Sequence, residues 1–173
     1  MKRLTEDRLA HDFPDSWEVA KYDDWSFYRK QFQNCCGGNK AMDFLAYDPA
    51  DRTLWLVELK DYRRFRRIKD ETIRLWDEVA LKARDTLAGL FAVKTQAGHE
   101  NARFAGLAVQ ACALRVVLHL EQPGKSSKMF PRAYDLTYIQ QELKKVIKPL
   151  DPHPLVIESN QLNRVPWTIT SIP

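Results

Sequence analysis

The chain has 173 residues, 45% hydrophobic and 29% charged, with a formal net charge of +4. That length suits one hydrophobic core and is short for two, so one domain over residues 1–173 is expected, and the composition excludes a disordered or fibrous chain. Mild basicity permits a nucleic-acid partner without demanding one.

Elements follow in chain order. "LTEDRLAHDFP" predicts a short opening helix, capped by Thr5 and stopped at Pro14. "SWEVAKYDDWSFYRKQF", aromatic and β-branched, predicts one or two strands of a meander with a bend at Asp23-Asp24. "CCGGNK" is a turn. "AMDFLAYDPADRTLWLVELK" predicts a β-hairpin, because Pro49 presets the turn dihedral and its flanking aspartates satisfy free amides. From Asp70 to Val93 the period lengthens: Ile73, Trp76, Val79, Ala80, Ala83, Leu87, Leu90 and Phe91 mark one face of a long helix. "HENARFAGLAVQACA" predicts a second helix, "LRVVLHLEQ" a strand, "PGKSSKMFPRA" a loop and "YDLTYIQQELKKVIK" an amphipathic helix. "LVIES" and "WTITSI" close the chain as strands. Strands first and helices later give an α/β (α+β) class, a central mixed sheet with an antiparallel hairpin flanked by helices.

Cys35, Cys36 and Cys112 include no C-x-x-C, and His11, His99, His119 and His153 stand singly, so neither a disulfide framework nor a structural zinc site is expected. His119, on an apolar strand, reads as a satisfied sheet histidine. Neither a signal peptide nor a membrane-length apolar run is visible, which gives a cytoplasmic expectation with no membrane partner. "QPGKSSK" resembles the end of a phosphate loop but lacks the upstream glycine, so nucleotide binding there is rejected. Lys125 and Lys128 in it are candidate backbone contacts.

The hairpin carries the chemistry. Side chains alternate along a strand, so Leu54, Leu56, Glu58 and Lys60 share a face. Pairing Asp48 with Thr53 sets Asp43 opposite Glu58. Two facing carboxylates on partly buried strands repel and lose hydration, and a divalent cation such as Mg²⁺ would relieve them. Lys60 could then hold a water or a developing phosphate charge. The plainer alternative is a strand-end ion pair of Glu58 with Lys60, with Asp43 solvated. Downstream, Arg63, Arg64, Arg66, Arg67 and Lys69, interleaved with Tyr62 and Phe65, form a candidate phosphate-contacting, nucleic-acid-binding cluster, or else a solvated loop.

Asp43 on one strand and Glu58-Leu59-Lys60 on the next resemble the PD-(D/E)XK nuclease superfamily, the restriction-endonuclease-like fold. The likeness covers the hairpin closely and the element order from residue 5 to 122 loosely, with Met42 standing where the motif has proline. It implies an Mg²⁺-dependent hydrolase (Mn²⁺ as substitute) cutting phosphodiester bonds, in DNA first. Asp43, Glu58 and the Leu59 carbonyl would be metal ligands, with Asp43, Glu58 and Lys60 catalytic. It also implies a helical acid, for which Glu6 and Glu18 are candidates, and a polar group from the following helix, where Lys82 and Asp85 fall. Lys82 is expected to snorkel outward. A homodimer would serve two-strand cutting. The alternative is a non-catalytic nucleic-acid- or protein-binding module on the same fold.

Overall fold

A computed structural model describes residues 1–63, 73–96, 100–123 and 134–172. The chain opens with β1 (Lys2–Glu6) and β2 (Leu9–Phe13), an antiparallel hairpin turned at Asp7, whose φ is 50°. This replaces the expected opening helix. Every residue from Leu9 to Phe13 is buried, and a strand covered on both faces shows no alternation that would distinguish it from a helix turn. Arg3 on β1 holds the Asp12 carboxylate with two hydrogen bonds of 2.7 Å.

The central sheet contains β3 (Glu18–Lys21), β4 (Phe44–Asp48), β5 (Thr53–Asp61), β6 (Ala113–Glu121) and β7 (Leu155–Ile157), in that spatial order. The first three run antiparallel, while β5–β6 and β6–β7 are parallel. Parallel neighbours need long crossovers. The first is made by α1 (Leu75–Thr95) and α2 (Ala102–Val109), the second by α3 (Leu136–Ile147). Asp135 caps α3, accepting from the amides of Thr137 and Tyr138. The closing strand β8 (Thr168–Ser171) joins β2 instead of the central sheet, making a second, three-stranded sheet.

The mixed α/β class with an antiparallel hairpin and flanking helices is therefore as expected; the second sheet is not. The stretch after β3 also departs from expectation. Tyr22–Asp24 form a 3₁₀ turn at the expected bend, but Tyr28–Phe32 form a π-helical turn and not a strand. Tyr22, Trp25, Phe27 and Tyr28 use their rings to fill the core beneath α1. The helix α1 begins at Leu75, and its buried stripe is Leu75, Val79, Ala83, Thr86, Leu90 and Val93. Ile73 and Phe91, counted on that face in the sequence, are exposed.

The strand β5 is covered on both sides. Leu54 and Leu56 pack toward the helices with Leu45, Val79, Ala83 and Val116. Val57 and Leu59 pack toward the three-stranded sheet with Phe13, Trp17, Val117 and Trp167. A buried polar chain ties the two sheets: Trp167 Nε1 donates to His11 Nδ1 at 3.0 Å, His11 Nε2 meets His119 Nδ1 at 3.0 Å, and His119 Nε2 meets Glu121 Oε1 at 2.7 Å. Indole only donates, so His11 Nδ1 accepts, which leaves its Nε2–H to donate to His119 Nδ1 and the His119 Nε2–H to donate to Glu121. His119 is thus a satisfied sheet histidine, as expected. Among the described residues, no helix is long and apolar enough to cross a membrane.

Candidate functional site

The hairpin register is the one the turn chemistry requires. Asp48 pairs with Thr53 and Phe44 with Val57, so the next step outward sets Asp43 against Glu58. Asp48 and Asp51 accept from the amides of Ala50 and Thr53, the turn bonds that fix this register. Asp43 lies just before β4, and its Oδ2 accepts from the Leu59 amide at 2.7 Å, which locks the carboxylate to β5.

The segment delivering Asp43 is held by α1. Asp85 accepts from the Lys40 amide at 2.9 Å, and Thr86 Oγ1 accepts from the Met42 amide at 3.0 Å. Asp85 therefore serves the approach to the site, and sequence reasoning assigned no role to Thr86.

One turn of α1 supplies Glu78 and Lys82, and β5 supplies Lys60. Lys82 Nζ lies 2.5 Å from Glu58 Oε1 and 3.6 Å from Asp43 Oδ1. Lys60 Nζ lies 3.1 Å from Glu58 Oε1 and 3.1 Å from Glu78 Oε1. Glu78 and Lys82 are four apart, so both face the sheet from one stripe. Sequence reading gave Glu78 no role, and Lys82 points inward, against the expected snorkelling, because two carboxylates await it. Three carboxylates against two ammoniums leave the cluster one negative charge in excess when all are ionised.

Glu58 is fully buried, and its Oε2 has no hydrogen-bond partner among the described residues. Burial, reinforced by the Asp43 charge, pushes its carboxyl up to about 7 against the pull of both lysines. Burial disfavours the charged forms of Lys60 and Lys82, yet their carboxylate neighbours outweigh it, and both are raised. Asp7, at the β1–β2 turn, is raised by burial and by the charges of Glu6, Asp61 and Asp43, so it borders the same acidic ground.

The other candidates are placed as follows. Glu6 pairs with Lys21 at 2.6 Å and Glu18 with Arg103 at 2.8 Å, so neither joins Asp43 and Glu58. Arg63 is engaged within the fold, by Asp61 at 2.6 Å and the Ser171 hydroxyl at 2.8 Å. Arg64, Arg66, Arg67, Lys69 and Phe65, like Lys125 and Lys128, lie outside the described residues. No cluster of three or more carboxylate, imidazole or thiolate side chains stands ready to hold a metal among the described residues.

Across nearly its whole length, the chain is similar to part of a cysteine--tRNA ligase of Neisseria meningitidis serogroup A. The two are 30% identical over 212 aligned residues, which cover 99% of this chain and 30% of that protein. The chain thus spans under a third of that ligase's length. No family model matches the chain. No solved structure matches it.

The similarity corrects the sequence reading of the hairpin. The relative is a tRNA ligase, so membership of the PD-(D/E)XK superfamily, a metal-dependent nuclease or hydrolase activity and DNA as substrate are all withdrawn. The geometry shows why the motif misled. The acid pair is real, but an ammonium from α1 lies between the carboxylates, and Lys60 is spent on Glu58 and Glu78. Expectation of a homodimer rested on two-strand cutting and loses that basis.

Proposed function

We propose that this chain is a tRNA-engaging module that works in the cytoplasm alongside cysteine–tRNA ligation. The observation that carries this reading is the similarity of 99% of the chain to a segment of a cysteine--tRNA ligase. A net charge of +4 agrees with a polyanionic partner. Reading residues 1–173 as a single domain belongs to the same proposal.

Within the module, Asp43, Glu58 and the Leu59 carbonyl are the proposed ligands of one Mg²⁺, with Mn²⁺ as substitute. Hard carboxylate oxygens suit these ions, and the unpartnered Glu58 Oε2 is a donor in search of a cation. When bound, the ion would supply positive charge for RNA phosphate oxygens. Lys82 must give way for it, and Lys60 then remains as the second cation beside the carboxylates.

The test is the nucleic acid that accompanies the chain. The tagged full chain, isolated from its own cells at low salt, is expected to bring tRNA enriched over ribosomal RNA and DNA. Recovery of DNA in preference, or of no nucleic acid above an untagged control, would contradict the reading.

A further inference from the structure

At the β7 edge of the central sheet, on the face that α1 also covers, α3 and the 3₁₀ segment Ser159–Arg164 enclose a groove of about 390 Å³. Its size is within the range of small-molecule sites, which begin at about 300 Å³. The chemistry of its lining is one-sided. Thr137, Gln140, Gln141, Lys144, Gln161 and Arg164 surround it, over an apolar floor of Leu136 and Val156. No carboxylate is among the lining residues.

Two of these groups are fixed in advance. Arg164 Nη1 donates to the Val156 carbonyl at 3.0 Å, and its Nη2 donates to Gln140 Oε1 at 2.9 Å. Among the described residues no acid pairs with the guanidinium, and these two bonds set its plane before any ligand arrives. Three other groups, the Lys144 ammonium, the Gln141 carboxamide and the Thr137 hydroxyl, have no partner among the described residues. Two uncompensated cations next to the Gln141 carboxamide match a phosphate joined to a hydrogen-bonding ring, since arginine and lysine take phosphate oxygens and glutamine can bond a base edge bidentately. The Gln140 oxygen is already taken by Arg164, which leaves its amide to donate.

We propose that this groove binds one nucleotide unit, its phosphate on Arg164 and Lys144 and its base against Gln141 and Gln140. The proposal rests on the tRNA-engaging reading for the ligand's source, an RNA strand, whereas the groove chemistry would equally take a free mononucleotide.

The experiment titrates the full chain with 5′-AMP and 5′-CMP by calorimetry, and with labelled tRNA by fluorescence anisotropy, beside Lys144→Ala, Gln141→Ala and Arg164→Ala. Lys144 and Gln141 are exposed, so their variants keep the test valid if Arg164→Ala fails to fold. Expected is mononucleotide binding that Lys144→Ala weakens about fivefold or more, with the salt slope of tRNA binding lowered by about one. Mononucleotide binding that depends on these residues, without tRNA binding, would uphold the groove and remove the tRNA reading. Absence of mononucleotide binding, or binding of either ligand that Lys144→Ala and Gln141→Ala leave unchanged, would overturn the groove.

Discussion

Lys82 bridges the two strands of the hairpin: its ammonium is 2.5 Å from Glu58 Oε1 and 3.6 Å from Asp43 Oδ1. This contact explains how facing carboxylates coexist on an apolar sheet. Breaking a buried ion pair by removing one member leaves an uncompensated charge. Lys82→Ala should therefore destabilise the chain by about 2–4 kcal/mol in urea unfolding. Adding Glu58→Gln should recover part of that loss, because the stranded charge is gone. A cost below about 0.5 kcal/mol would show that the bridge is not formed in solution.

The same bridge governs metal affinity. If Asp43 and Glu58 hold Mg²⁺, Lys82→Met should tighten binding several-fold by vacating the space between them, and Asp43→Asn should abolish it. Calorimetric titration of the three proteins reads this directly. Heats absent in all of them, or unaltered by Asp43→Asn, would remove the metal from the account.

His11 sets a pH response of the fold. Burial, and then the neighbouring His119, hold its imidazole down at about 3, against an ordinary value of 6.5. The folded state thus keeps His11 neutral while the unfolded chain takes up a proton. Its contribution is fully present above pH 6.5 and is lost as pH falls from there toward 3. The slope should approach about 1.4 kcal/mol per pH unit inside that window. The charged groups beside it are Asp12, already paired with Arg3, and Glu121 at the end of the histidine chain. Burial opposes ionisation of Glu121, but the contacts with His119 and Ser159 prevail and hold it down at about 2. His11→Gln should be less stable at pH 7 yet flatter between pH 6.5 and 4. An unchanged pH slope would count against the buried polar chain.

Gly89 tests the packing of α1. A Cβ there would overlap the Tyr22 hydroxyl, which is buried and has no hydrogen-bond partner among the described residues. Gly89→Ala should cost about 1–3 kcal/mol despite the better helix propensity of alanine. A stabilised variant would mean that Tyr22 lies elsewhere.

The legible and illegible parts of this molecule divide by physical cause. The hairpin register could be read because Asp48, Pro49 and Asp51 specify one turn, and a one-residue slip would have moved Glu58 to the other face. β1–β2 could not be read as a hairpin, since Leu9 to Phe13 is buried on both faces and carries no period. The pairing of β8 with β2, at opposite chain ends, leaves no local trace in either segment. At the site, Asp43, Glu58 and Lys60 were found from their spacing. Lys82 was seen but given the wrong direction, because helix periodicity alone does not show that a pair of acids lies beneath. The acid-lysine pattern then pointed to the wrong family, since two carboxylates and a lysine meet wherever charges on a sheet need balancing.

Equilibrium binding of a tRNA transcript to the full chain, against a DNA hairpin of equal length at about 50 and 200 mM salt, tests the central claim most directly. The account predicts tighter binding of tRNA than of DNA at both salts, with the tRNA affinity falling as salt rises. Equal affinity for the two, or no tRNA binding at the lower salt, would contradict it.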